Sequence, residues 1–287
     1  MIAVYRHELR GYLHSLTAWL FCAFFLLFVG IGSMMYNIQS AAANFEYVLE
    51  FICIGMTVIV PVLTMRVLAE ERRQKTDQLL YALPLSSVQI TVGKYASVLT
   101  IFLVPMLVIS VYPLIFSQYG DVYLPTAYGS LAAFFFLGAA LIAIGMFLSS
   151  LTENQGVAAG ISIAALLLNY FSVSLAEYAG STAFGSMTVL CIFWVILAFL
   201  VMHMTANENL GFGMGLVLVV GTCAVYYLKS SLFESLIPNI MKQLSLFDRF
   251  SDFVDGVFDL TNIVFYVTVS IFFLFLTVQS LEKRRYN

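Results

Sequence analysis

Eight times along this chain an apolar run reaches the roughly 20 residues that a helix needs to cross a bilayer core about 30 Å thick. The runs are Thr17–Tyr36, Val48–Ala69, Tyr95–Ser117, Ala127–Ser149, Gly156–Leu175, Phe184–Met204, Leu210–Leu228 and Thr261–Leu281. In a bilayer core no water satisfies backbone N–H and C=O groups, so each run must bond within itself as a helix. The chain therefore reads as an all-α, polytopic membrane protein of about eight transmembrane helices. The charged fraction of 10% agrees, being far below the usual soluble value of about 25%. The sixth and seventh runs are joined by only Thr205–Asn209, which predicts a tight helical hairpin.

Eight spans leave both termini on one side, and the basic residues choose that side. With the termini in the cytoplasm, ten of the 13 Lys and Arg face inward; only Lys229, Lys242 and Arg249 face out. Positive charge concentrates on the cytoplasmic side of membrane proteins, so this orientation is expected. A net charge of −3 with no basic tail gives no sign of a nucleic-acid partner. The four cysteines, Cys22, Cys53, Cys191 and Cys223, lie inside apolar runs without metal-ligand spacing and read as small buried thiols. The first apolar run is too long for the core of a cleavable signal, and no small-residue cleavage site follows it. Residues 1–16 place Ile2, Tyr5, Leu9 and Leu13 on one face and Arg6, His7, Glu8 and Arg10 elsewhere, as an interfacial elbow helix would. Residues 17–287 then form one transmembrane domain.

The long polar interruption runs from Arg66 to Lys94 and carries Arg66, Arg72, Arg73, Lys75 and Lys94. Leu68, Leu79, Leu80 and Leu83 can share a helical face opposite Glu70, Glu71, Arg72, Arg73, Lys75 and Asp77. Pro84 ends that pattern, because proline lacks an N–H and disfavours the α conformation of the residue before it. Residues 70–84 thus read either as a surface helix presenting charge to a partner or as a solvated turn that sets topology. Arg66 and Glu70, four apart, can pair along one face. Arg66 lies near the end of its apolar run and can snorkel to the surface.

Residues 229–260 are the largest segment expected outside. Two amphipathic stretches carry Leu232, Phe233, Leu236, Ile237, Ile240, Met241 and Leu244, then Leu246, Phe247, Phe250, Phe253, Val254, Val257 and Phe258. Such helices lie on or dip into a leaflet, either capping an exit path or serving as packing. The aspartates between them lack calcium-loop spacing. Gly156 and Gly160 open the fifth run at a spacing that lets helices approach closely, within one chain or between subunits.

No phosphate-cradling G-x-x-x-x-G-K-[ST], no G-x-S-x-G and no H-E-x-x-H occurs. The residues call for no cofactor and no metal, and they suggest no enzyme. Every charged residue is expected in a loop or within about a turn of a span end. Ion-coupled carriers instead place ionisable groups at mid-depth. If this protein moves cargo, the energy comes from elsewhere.

The stretch Pro61–Ser97 resembles the signature region of ABC-2 type transporter permeases, nearest the gliding-motility and nitrous-oxide-reductase-associated branch. The matching residues are Pro61, Thr64, Met65, Arg66, Glu70, Glu71, Arg72, Thr76, Leu79, Leu80, Leu83, Pro84, Gly93 and Lys94, with Lys75 standing where that pattern has glycine. LSLFDRFSDFVDGVFDLTN and LEKRR are similar to the end of the same permeases. Those have six spans, so the Phe184–Leu228 pair reads as an insertion. The resemblance implies an exporting half-transporter in the cell inner or plasma membrane, surrounded by membrane lipid. It would pair with a second permease copy or paralogue and be driven by two separate ABC ATPase subunits. It further implies ATPase coupling through Arg66, Glu70, Glu71, Arg72, Arg73, Thr76, Leu79, Leu80 and Pro84, with Glu153 and Asn154 as a second cytoplasmic contact. Gly156 and Gly160 are then candidates for dimer packing, and Phe247, Phe250 and Phe253 for an outer gate. The rival reading is a membrane assembly factor, or a membrane enzyme using the outer loop.

Overall fold

A computed structural model describes the chain apart from residues 41, 43, 77–84, 181, 206–207 and 287, and leaves side chains out at 179–180, 196, 199–212, 214 and 286. Every regular element among the described residues is helical. Among the described residues six helices are long and apolar enough to cross a membrane: Leu16–Gln39, Glu46–Arg73, Ser87–Phe116, Leu124–Leu151, Gln155–Tyr178 and Leu260–Arg285. The chain divides into two compact units, Met1–Tyr170 with Leu246–Asn287, and Phe171–Ser245.

In the first unit, α1 (Ile2–His14) precedes α2 (Leu16–Ser33), and Ser15 between them is extended (ψ 144°). A π-helical segment, Met34–Gln39, extends α2. Then come α3 (Glu46–Thr64) and the short α4 (Ala69–Arg73). The next helix, α5, covers Ser87–Ile109, followed by α6 (Tyr112–Phe116) and α7 (Leu124–Leu151). After α8 (Gln155–Gly180), the unit resumes with α12 (Asp248–Val254) and α13 (Leu260–Tyr286). The second unit holds α9 (Ala183–Thr205), α10 (Glu208–Leu228) and α11 (Leu236–Leu244).

The helix α5 begins eight residues before the apolar run expected there. Ser86 and Gln89 form a reciprocal capping box, each side chain satisfying the other's backbone N–H. That closes two of the orphan donors of a helix start and holds the polar stretch 87–94 helical.

The core of the first unit forms around α7. Its small residues let neighbours approach: a Cβ on Gly138 would sit 2.4 Å from the Phe102 ring, and one on Gly145 would sit 2.3 Å from Thr64 Oγ1. Phe25 and Phe102 meet edge to face at 5.9 Å, and Phe134 meets Phe250 the same way at 5.6 Å. Such aromatic pairs add about 0.5–1.5 kcal/mol beyond burial. This apolar filling runs from α2 through α5 and α7 to α12.

The sixth and seventh expected spans appear as α9 and α10. Ala183–Val195 is the described apolar stretch of α9, and Gly215–Leu228 is bent by 117° against the following Ser230–Leu244. Gly215 packs directly on Ala198, where an added Cβ would come to 2.6 Å of the Ala198 methyl.

Candidate functional site

At one end of the first unit, polar side chains from five helices converge on the segment after α3. The origin of the arrangement is a helix break. Pro61 lies in the last turn of α3, and turns follow at Met65–Leu68 before α4 begins. A break leaves backbone groups without intrahelical partners. Ser149, near the end of α7, supplies them: its hydroxyl donates to the Met65 carbonyl at 3.1 Å and accepts from the N–H groups of Leu68 (3.3 Å) and Ala69 (3.2 Å).

Two cations then lock this segment to its neighbours. Arg66 donates to both oxygens of Glu70, at 2.5 and 2.9 Å, and reaches Thr17 Oγ1 in the first turn of α2. The i,i+4 pair is the one its spacing predicts. Lys94 carries the larger consequence. The helical start at Ser87 places it two turns inside α5, not at a span end as expected, and its side chain is 1% exposed. Its ammonium donates to Glu8 Oε1 at 2.7 Å, to Glu71 Oε1 at 2.5 Å and to the Val67 carbonyl at 3.3 Å. Three donors meet three oxygens, so the charge is satisfied in every direction. A buried charge persists only with such pairing, because desolvation otherwise costs several kcal/mol.

The elbow helix is tied in as well. Tyr5 shares a hydrogen bond of 3.1 Å with Thr100 of α5. Gly93 lies under α1, where an added Cβ would meet the Met1 carbonyl and Val4 at 3.2 Å. Tyr12 is buried beside the cluster; burial, with the nearby Glu8 charge, pushes its phenol far above the ordinary range, so it stays neutral. Further polar contacts at this end come from α13 and the α7–α8 turn. Arg284 reaches Glu153 at 3.4 Å, Arg285 donates to the Leu85 carbonyl at 3.2 Å, and Asn154 caps the start of α8 by accepting from the Gly156 N–H at 2.9 Å.

The expected coupling residues therefore divide. Arg66 and Glu71 bond to α2 and α5, Glu70 braces Arg66, and Arg72 is buried. Arg73, Gln74, Lys75 and Thr76 are exposed. The helix expected over 70–84 is described as α4 and a turn, with Lys75 in the left-handed region at φ 55°. Asp77, Leu79, Leu80, Leu83 and Pro84 lie outside the described residues. Glu8, Thr17 and Ser149 are participants that sequence reasoning missed. Glu8 belonged only to the polar face of α1, and Ser149 to the end of an apolar run.

At the opposite end of the unit, Phe247, Phe250 and Phe253 are all buried. The segment Leu246–Val254 is pinned by polar groups from three long helices. Ser130 donates to the Phe253 carbonyl (2.8 Å), Tyr266 donates to the Leu246 carbonyl (2.9 Å), and Asn169 Oδ1 accepts from the Leu246 N–H (3.1 Å). Asn262 accepts from Arg249 at 2.7 Å and donates to Asp252 at 2.8 Å, while the Arg249 guanidinium sits 4.1 Å from the Phe265 ring centre. Gly156 and Gly160 lie on an open face of α8; nothing within 4 Å would meet a Cβ at Gly160. Among the described residues no group of three or more His, Cys, Asp or Glu gathers as a metal site.

The family model described as ABC-2 family transporter protein matches residues 29–176. No curated protein and no solved structure matches the chain. The family match takes in α3 to α7, the Arg66–Thr76 segment and Lys94, and covers just over half of the chain. The chain belongs to this family of membrane components of ABC transporters.

Proposed function

We propose that this ABC-2 family transporter protein is the permease subunit of an ATP-driven exporter, with its charged end in the cytoplasm and both termini on that side. The observation that carries the reading is the buried Lys94, bonded at once to α1 and to α4 from within α5. A partner that pushes on the Arg66–Thr76 segment pushes on α1, α2, α5 and α7 together. Rigid, bonded contacts are what conduct a nucleotide-driven movement into a helical bundle.

In this reading two separate ABC ATPase subunits dock on the exposed Arg73, Lys75 and Thr76, with Leu79, Leu80 and Pro84 completing the surface and Glu153 and Asn154 adding a second contact. Glu70 and Glu71 serve inward, as the grip of the lever. A second permease copy or paralogue packs on the Gly156–Gly160 face of α8. The path for cargo lies between the two copies, since aromatic and aliphatic side chains fill the first unit of one copy. Phe247, Phe250 and Phe253 close its outer side. The gliding-motility and nitrous-oxide-reductase-associated branch is the subgroup whose pattern the Pro61–Lys94 residues follow. An inner or plasma membrane is the expected location.

The test uses the tagged chain purified from its native membrane, with co-purifying proteins quantified by mass spectrometry. Wild type should bring down an ABC ATPase, and the double substitution R73E/K75E should reduce it severalfold while expression and thermal stability hold. An ATPase retained in full by the variant, or absent from wild type, would reject this docking site.

A further inference from the structure

We propose that Cys191 and Cys223 are a modification site: a dithiol that closes to an intrachain disulfide by exchange with a membrane-soluble disulfide. The proposal concerns the second unit and does not rest on the transport reading.

The hairpin sets the two residues at one height. From Cys191 to the end of α9 at Thr205 is 14 residues, and from the start of α10 at Glu208 to Cys223 is 15. At a rise of 1.5 Å per residue, Cys191 stands about 21 Å along its helix from Thr205 and Cys223 about 22.5 Å from Glu208. Rotation agrees as well. Ala198 and Gly215 meet across the two helices. Cys191 is seven residues before Ala198, nearly two full turns, and so lies on that same face. Cys223 is eight residues after Gly215, on the flank beside it. The glycine draws the helix axes together, as small residues do in membrane helix pairs. The two thiols then stand near each other across the helix pair. Each is half-exposed and free.

Equal height and neighbouring faces are the precondition for a disulfide, which needs Cα atoms about 4.4–6.8 Å apart and facing Cβ atoms. The other two thiols are placed differently: Cys22 lies in α2, and Cys53 in α3, where it is buried and donates to the Leu49 carbonyl.

The chemistry balances as two exchanges. One protein thiol loses its proton and attacks a sulfur of the small disulfide. That bond breaks, and one small thiol leaves carrying the proton. The second protein thiol attacks the protein-bound sulfur of the mixed disulfide. The Cys191–Cys223 bond forms, and a second small thiol leaves with the second proton. Two protein thiols are oxidised and one disulfide is reduced. The product staples α9 to α10 far from the ends where the two helices follow one another in sequence.

The experiment treats the full-length chain, in membranes, with a membrane-permeant dipyridyl disulfide, followed by intact-mass measurement and disulfide peptide mapping. Wild type should lose two hydrogens without retaining reagent at this pair, yield a single Cys191–Cys223 crosslinked peptide and revert with a reducing agent. Cys191→Ser should instead hold a thiopyridyl adduct on Cys223, and the double variant C22S/C53S should still crosslink. Separate adducts on both cysteines in wild type, or two thiols left unreacted, would overturn the proposal.

Discussion

At the scale of single residues, Lys94 decides most. Removing its ammonium leaves the carboxylates of Glu8 and Glu71 facing one another at low exposure. Breaking a buried pair by deleting one partner costs roughly 3–5 kcal/mol. Lys94→Met should therefore lower thermal stability in detergent markedly. Lys242→Met is the control: it removes a 3.9 Å pair with Glu177 between half-exposed side chains, where solvent screening leaves about 0–1 kcal/mol. Equal shifts for the two variants would contradict the burial of Lys94. Lys75 supplies a second case. A non-glycine residue in the left-handed region costs roughly 1–2 kcal/mol, and Lys75 sits there at φ 55°. Lys75→Gly should raise the unfolding temperature, and a fall would show that the turn is built differently. Glycine is also what the related permease pattern carries at this position, so the mismatch was visible in the chain although its geometry was not. The Arg66–Glu70 pair was legible because four-residue spacing is local. The Lys94–Glu8 pair joins residues 86 apart, and nothing local encodes it.

At the scale of elements, apolar run length carried the helices well, because a spanning backbone has to satisfy its own hydrogen bonds. Six of the expected runs correspond to helices of spanning length. Boundaries were less legible. The start of α5 at Ser87 depends on a capping box and on Lys94 finding partners inside the fold, and hydropathy registers neither. The polar segment after Arg66 showed charge periodicity but not the break at Met65–Leu68, which depends on Ser149 from a distant helix. The small residues of α7 make a testable claim about packing. Gly145→Ala would drive a methyl into Thr64, itself buried and bonded to the Val60 carbonyl. Overpacking of this kind costs about 1–3 kcal/mol. At Gly30 nothing within 4 Å would meet a Cβ, and Gly30→Ala should be neutral or stabilising by up to about 1 kcal/mol. Thermal unfolding of the two variants should differ in that order; the reverse order would mean that α3 and α7 do not pack as described.

At the scale of the whole molecule, the chain is a membrane component of an ABC transporter whose first unit is interrupted in sequence by a second helical unit, Phe171–Ser245. The family match ends at residue 176, close to where that unit begins. Fold class and family were within reach of the sequence, since both rest on run length and on one stretch of mixed charge. How α1, α4, α5 and α7 are bound into one lever was not, because its bonds are long-range. The central claim is that the exposed tip of that lever meets an ATPase in the cytoplasm. Its most direct test places a photo-crosslinking amino acid at Arg73 in living cells, with an adjacent cysteine probed by a membrane-impermeant thiol reagent. The account predicts an adduct with an ABC ATPase subunit and no labelling from outside the intact cell. Labelling from outside, or illumination that yields no ATPase adduct, would contradict it.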